Sequence, residues 1–366
     1  MKNIFKISVV VIAILLAQFN VNAQGCIAVR GMACANGNVN NSSSLLQAGQ
    51  FQVSANYRYL HSYKHFVGTV EQTQRVIDGT QVINDSHTLD LGVTYAVTNR
   101  LSVSANLPIN SNDRSSLYEH YGNAITTNPN QMRFHTGSQG IGDLRLSANY
   151  WLFDPAKSPK ANISIGIGLK APTGNSTVID NFHKLDKDGK DYLVQKFVDQ
   201  SIQLGDGGWG GSIEVQGYKA FSTKTALYFN GFYLFSPKVT NDANLSVPDQ
   251  FGGRLGLSHG LIPSKGVSVS LGGRIEGLPA IDAIGSSEGF RRPGYIISIE
   301  PGVVISGANN TFSLTVPVAV VRNRTKSYSD LQDPLGLKQG DAAFADYFVT
   351  ISFAHRFGGA KKYVKL

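Results

Sequence analysis

The sequence predicts an all-β fold: a transmembrane antiparallel β-barrel of about 12 strands with short turns at one end and long loops at the other. Three observations predict it. Apolar residues recur at every second position through stretch after stretch, the period of a strand with one oily face. Short and long connections alternate between those stretches. The mean hydropathy is −0.09 although 42% of residues are hydrophobic, so the apolar residues are spread over strands instead of being gathered into helical spans.

The clearest stretch runs from Ser138 to Gly174. Leu144, Leu146, Ala148, Tyr150 and Leu152 alternate with Asp143, Arg145, Ser147, Asn149 and Trp151. After a Pro-bearing turn, Ile163, Ile165, Ile167 and Leu169 alternate with Asn162, Ser164, Gly166, Gly168 and Lys170. A hairpin with one apolar and one polar face must press the apolar face against something oily. Lipid serves, because strands of about 9–11 residues cross a bilayer once every edge is closed into a barrel.

Taken in order, residues 1–23 read as a secretory signal peptide. Lys2 and Lys6 precede an apolar run too short to span a membrane, and Val21-Asn22-Ala23 offers a cleavage point. Its removal takes two positive charges from the net +8, and the remainder is too dilute to indicate a nucleic-acid partner. Residues 24–48 read as a periplasmic lead or short plug, in which Cys26 and Cys34 are the only cysteines and most simply form a local disulfide. The barrel is expected over 49–357. Phe51, Val53, Ala55, Tyr57 and Tyr59 mark its first strand. Leu89 to Val97 and Leu101 to Leu107 mark the next two, joined by the tight Thr98-Asn99-Arg100 turn. The Leu144 and Ile163 strands follow. Further strands are marked by Ile213, Val215 and Gly217, by Leu227 to Phe235, by Phe251 to Leu257 and by Val267 to Ile275. The last three run from Tyr295 to Val303, Phe312 to Val320 and Tyr347 to Phe357. Pro301 and Pro317 fall inside strands and predict bulges or poorly bonded stretches there. The long connections are 62–86, 110–138, 175–207, 236–248, 280–293 and 322–344. Phe357 fits the terminal aromatic read by barrel-assembly machinery, and residues 358–366 follow as a basic periplasmic tail.

Gly140-Ile141-Gly142-Asp143-Leu144 opening a strand, with Pro172-Thr173-Gly174 one hairpin later, resembles the pattern of the outer-membrane family named after a meta-pathway of phenol degradation. It is more distantly similar to the long-chain fatty-acid and aromatic-hydrocarbon channels of the outer membrane. The resemblance implies a barrel for passive uptake of small, hydrophobic or aromatic molecules. Its specific residues are confined to this hairpin, and neither the longer N-terminal plug nor the kinked strand of those channels is located in this sequence.

If the apolar positions face lipid, the alternate ones line the lumen. They include Arg58, Arg145, Lys170, Arg254, Arg274 and Arg356 against Asp143, Glu214, Glu276 and Glu300. Such charges pair across strands and stiffen the wall, or set a pore's ion preference. The Ser222-Thr223-Lys224 turn sets a register that puts Tyr218 opposite Tyr228 and Glu214 opposite Phe232, so that Tyr218, Tyr228 and Phe232 form an interior aromatic patch. That patch either receives a ligand or simply fills the barrel. Gly256-Leu257-Ser258-His259-Gly260 matches G-x-S-x-G, but no helix follows to make the nucleophile elbow. The histidines have no metal-site spacing, and Gly140-Ile141-Gly142 opens no helix that could receive a pyrophosphate. The sequence therefore predicts neither an enzyme nor a cofactor or metal. It predicts a channel in the outer membrane of a Gram-negative bacterium whose partners are outer-membrane lipid, a small-molecule solute and the assembly machinery. The alternative is a non-transporting barrel with a structural or interaction role, or an envelope lipid enzyme.

Overall fold

The computed structural model describes residues 45–358. The leader, both cysteines and the residues after Gly358 lie outside them. In chain order the first strands are β1 (Phe51–Ser62), β2 (Lys64–Val67), β3 (Val70–Glu71), β4 (Ile83–Ala96), β5 (Leu101–Ser116), β6 (Phe134–Ile141) and β7 (Leu144–Trp151). They are followed by β8 (Ala161–Ala171), β9 (Ile179–Leu185), β10 (Asp191–Phe197), β11 (Gly210–Ala220), β12 (Thr225–Phe235) and β13 (Gln250–Ile262). The last are β14 (Val267–Leu278), β15 (Gly294–Ser306), β16 (Asn310–Thr315), β17 (Val318–Asn323), β18 (Ala342–Phe344) and β19 (Phe348–Phe357).

Each barrel strand pairs antiparallel with its sequence neighbour, and β19 closes the ring on β1 from Phe51↔Phe357 to Leu60↔Phe348. Two staves are each made of two strands, β6 with β7 and β16 with β17, which gives a closed barrel of 12 staves. Both interruptions lie at prolines. β5 pairs β7 up to Asn106 and β6 from Ile109, with Pro108 between, and the Gly142 N–H donates to the Pro108 carbonyl at 2.7 Å. Pro317 separates β16 from β17, and the Val316 N–H donates to the Pro301 carbonyl at 3.1 Å, while Pro301 itself stays in register within β15. A residue without an N–H cannot continue a ladder, so the stave bends there.

The outer surface follows from the period of two. Ile163, Ile165, Ile167 and Leu169 on β8 are exposed, as are Leu89, Leu91, Val93 and Tyr95 on β4 and Leu255 and Leu257 on β13. This belt encircles the barrel and is far larger than the few hundred Å² of apolar patch a water-soluble surface carries. It is a lipid-facing surface. Among the described residues no helix is long and apolar enough to cross a membrane.

The strands reach further into the loops than the sequence indicated. The second and third staves continue to Ile83 and Ser116 in mutual register, and β6 begins at Phe134, so the 62–86 and 110–138 loops are shorter than expected. What remains of the long connections folds back over one end. β2, β3 and β18 form a three-stranded sheet at that end, in which Phe66 and Phe344 meet edge to face at 5.5 Å over Ile296, Ala319 and Ala342. These residues form an apolar core cluster, and Phe232 and Leu278 pack against it. Gly68 and Arg324 exchange two backbone hydrogen bonds and fasten the sheet to the wall. β9 and β10 form a separate hairpin that covers the 117–133 loop, with His120 stacked on Phe182 at 5.4 Å and tilted against Phe134 at 5.3 Å.

Candidate functional site: the barrel lumen

The inward face of the staves encloses two spaces. The larger, of about 310 Å³, lies in the half of the barrel nearer the short turns, and Leu45 and Leu46 reach its mouth. The smaller, of about 80 Å³, lies towards the loops. Pro108, Arg145 and Lys170 line both and mark the waist between them.

The chamber exists because the inward positions are small. Serines and asparagines line it, among them Ser54, Asn56, Ser104, Asn106, Ser147, Asn149 and Ser212. Where a longer side chain points inward, a glycine on the neighbouring strand takes it in. A Cβ at Gly166 would collide with Asn149 Oδ1, one at Gly168 would lie 3.0 Å from Glu214 Oε1, and one at Gly256 would lie 2.5 Å from the Tyr228 hydroxyl. These side chains therefore lie flat on the wall.

The charges of the lumen are mostly satisfied by one another. Arg254 meets Glu300 at 3.1 Å, and Arg274 meets Glu300 at 3.1 Å and Glu276 at 2.6 Å, a four-membered chain across β13, β14 and β15. Arg274 also lies over the Phe348 ring at 4.8 Å, and Arg58 over the same ring at 5.6 Å. At the waist Lys170 is almost wholly buried. Its ammonium bonds Asp206, the Gly208 carbonyl at 2.7 Å and Asp143 at 3.4 Å. Asp143 in turn accepts from the Gly174 N–H at 3.0 Å, which ties the Gly142-Asp143 break to the Pro172-Thr173-Gly174 turn. The Thr173 hydroxyl donates to the Gly142 carbonyl and accepts from the Leu144 N–H, both at 2.8 Å. Fully paired charges of this kind hold a shape at the cost of their desolvation.

Of the residues singled out in the sequence, Arg145, Lys170, Glu214, Tyr218, Tyr228, Phe232, Arg254 and Glu300 border the larger chamber, and Asp143 borders the smaller. Arg274 and Glu276 are buried in their ion pairs. Arg356 lies at the short-turn rim and donates to the Ala308 carbonyl at 2.6 Å. Tyr218 faces Tyr228 and Glu214 faces Phe232 in the β11–β12 ladder. The three aromatics are nonetheless spread along the axis: Tyr218 is buried beside Trp151 and donates to the Ser158 carbonyl at 3.2 Å near a turn, whereas Phe232 packs on the inner sheet. Ser258 borders the chamber, while its neighbour His259 is exposed and hydrogen-bonds the Thr225 hydroxyl at 2.9 Å. Adjacent strand residues face opposite sides, so the two are not brought together. No metal-holding group of three or more His, Cys, Asp or Glu occurs among the described residues.

Sequence reading missed several residues. Asp90 borders the chamber and was legible, since it alternates with Leu89 and Leu91. Asp206, Gln250 and the Arg114–Asp199–Arg292 group lie in or beside irregular loops, where no period reveals direction. Asp199 is chelated by Arg292 at 2.7 and 2.8 Å and lies 3.4 Å from Arg114. Burial would raise its carboxyl, but the two guanidiniums outweigh burial and hold it far below the ordinary range.

No family model and no curated protein matches the chain. Solved structures do. A crystal structure of an outer-membrane channel from Pseudomonas putida F1 aligns with 85% of this chain and 97% of its own, at 12% identity and a TM-score of 0.54. The CymD monoaromatic hydrocarbon channel aligns with 93% of this chain and 99% of its own, at 13% identity and a TM-score of 0.43. The toluene transporter TodX of P. putida aligns with 87% and 93%, at 8% identity and a TM-score of 0.43. The first of these shares the fold; the other two are too distant in shape to bear on the argument.

Proposed function

We propose that this chain is a channel of the Gram-negative outer membrane that lets small molecules pass passively, with the short turns in the periplasm and the long loops outside. The observation that carries this reading is the glycine-floored chamber. A barrel whose only task is to be stable fills its interior with interlocking side chains. This one sets glycines at inward positions where Asn149, Glu214 and Tyr228 fold against the wall, and keeps about 310 Å³ open. That is the lower end of the size range of small-molecule sites. The hydroxyls and amides of the wall suit a hydrated solute, and Tyr228 and Phe232 offer ring faces to one with an aromatic part. The Gly140–Leu144 and Pro172–Gly174 pattern and the shared fold support a distant kinship with outer-membrane channels, and membership of the phenol-degradation family is the finer form of the same proposal. Outer-membrane lipid and the barrel-assembly machinery are the partners this reading entails.

Single-channel recording tests it. The refolded chain in a planar bilayer should give a steady conductance that scales with salt. In the Tyr218→Ala/Phe232→Ala variant the conductance should rise about twofold, since Phe232 narrows the route towards the loops. Folded barrel, identified by heat-modifiable gel migration, that inserts without any conductance or solute flux would overturn the reading.

A further inference from the structure

Three charges that face the larger chamber stand apart from the ion pairs. Among the described residues Arg145 has no carboxylate within ion-pair distance; its guanidinium donates to Gln250 Oε1 at 3.1 Å. Glu214 has no cation within that distance and accepts instead from Asn149 at 3.3 Å and Ser212 at 3.2 Å. Asp90 is more than nine-tenths buried, borders the same chamber, and its Oδ1 has no hydrogen-bond partner among the described residues. Neighbouring charges in this wall are paired within about 3 Å, as Arg274, Glu276 and Glu300 are. A barrel that only needed strength would pair these too, because a buried charge without an opposite charge beside it is costly.

What the three present is a guanidinium and two carboxylates, opposite in sign, opening on one enclosed space. Phe232 lies directly across the ladder from Glu214, and Tyr228 is on the same inward face of β12. We propose, building on the channel reading above, that the chamber is a transit site for a small amphipathic zwitterion, of the amino-acid type. The anionic end meets Arg145, the ammonium meets Glu214, and the apolar part lies against Tyr228 and Phe232. Each charge supplies what a water-filled wall would otherwise lack for such a solute: a charge-assisted hydrogen bond of the right sign, with a ring face able to receive an ammonium. The carboxylate's place in a glycine recess keeps it from obstructing the passage it serves.

The test uses three probes with the same ring: L-phenylalanine, which carries both charges, 3-phenylpropanoate, which carries only the anion, and 2-phenylethylamine, which carries only the cation. Each is titrated calorimetrically into the detergent-folded full chain and, separately, into the bath of a conducting bilayer. Phenylalanine should bind, and block current, at concentrations about tenfold below either relative, the factor for one charge-assisted contact. Glu214→Gln should weaken phenylalanine and phenylethylamine by about tenfold and leave phenylpropanoate unmoved; Arg145→Gln should do the mirror image. Glu214→Asp should restore part of the preference, which a merely structural role for the carboxylate would not do. Equal affinities for the three probes, or a Glu214→Gln effect shared by all of them, would overturn the assignment. Selective binding without conductance would uphold the site and overturn the channel. Conductance without selectivity would do the reverse.

Discussion

The two halves of this lumen are built by opposite means. Near the short turns the wall is made of Ser, Asn and Gly, its longer side chains lie in glycine recesses, and space remains. Near the loops the interior is occupied by the β2–β3–β18 sheet, packed on Ile296 and Ala319, and by arginines chelated to acids, as Arg291 is to Asp282 at 2.7 Å. Both halves belong to the same staves with the same period of two, so strand pairing does not decide which is open. What decides it is whether the inward residue is small, or large and partnered. The open half is the work of the staves themselves; the closed half is the work of loops that fold back.

The largest effect should therefore come from the inner sheet. Replacing Lys64–Glu71 by a short Gly-Ser linker removes β2, β3 and the two Gly68–Arg324 backbone bonds that fasten them to the wall, and leaves the stave-to-stave ladders in place, since the two strands otherwise pair with each other and with β18. Single-channel conductance should rise several-fold. The milder Phe344→Ala removes the most buried ring of the core, and a buried Phe lost to Ala costs about 3–5 kcal/mol. Its conductance should flicker between the native and the enlarged level. An unchanged conductance in the linker variant would place the limiting constriction at the Lys170 waist instead.

The chamber gives the opposite and smaller effect. In Gly168→Val the new side chain would collide with the Ser212 hydroxyl and, with its Cβ 3.0 Å from Glu214 Oε1, would turn these flexible side chains off the wall and into the passage. Conductance should fall to about half while gel migration stays that of a folded barrel. If the variant conducts like the parent, the recess is not what keeps the chamber open.

This division also explains what could be read from the sequence. Staves announce themselves, because Leu144 to Leu152 and Ile163 to Leu169 alternate whatever surrounds them, and the alternation fixes direction. The Ser222–Lys224 turn even fixed the partners of Tyr218 and Glu214. Direction alone, however, does not say how far a side chain reaches. The three aromatics share a face yet lie at different depths, and Phe232 is drawn to a core that no pattern disclosed. The inner sheet was illegible because its strands are two to four residues long, too short for a period, and because its partner β18 comes from the far end of the chain. The same holds for Lys170 and Asp206, joined only when the irregular 203–208 loop crosses above the break at Asp143.

The smallest effect belongs to the outermost layer of the closed half and depends on pH. His120 is buried between Phe134 and Phe182; its Nδ1 accepts from the His183 N–H at 3.1 Å, and its Nε2 has no partner among the described residues. Burial lowers its pKa to about 4, which the nearby Glu119 partly opposes and His183, Lys184 and His135 reinforce. The unfolded value is near 6.5, so the folded loop favours the neutral ring. Its contribution to the loop's stability is complete above about pH 6.5 and is lost as the pH falls from there through about 4. His65, buried and lowered in the same direction with its Nε2 accepting from the Val82 N–H at 2.9 Å, adds a loss of the same sign in the inner sheet. Hydrogen exchange resolved to peptides separates the two. Between pH 7 and pH 4.5, after correction for intrinsic rates, protection of residues 117–133 should drop several-fold in the parent. In His120→Phe it should stay nearly flat, while the 64–82 peptides behave alike in both proteins. A 117–133 loop that loosens equally in the variant would remove His120 as the cause and leave the acid sensitivity of this end to His65 and its partner Asp341, whose carboxyl burial raises but whose contact with His65 and Arg75 holds below the ordinary range.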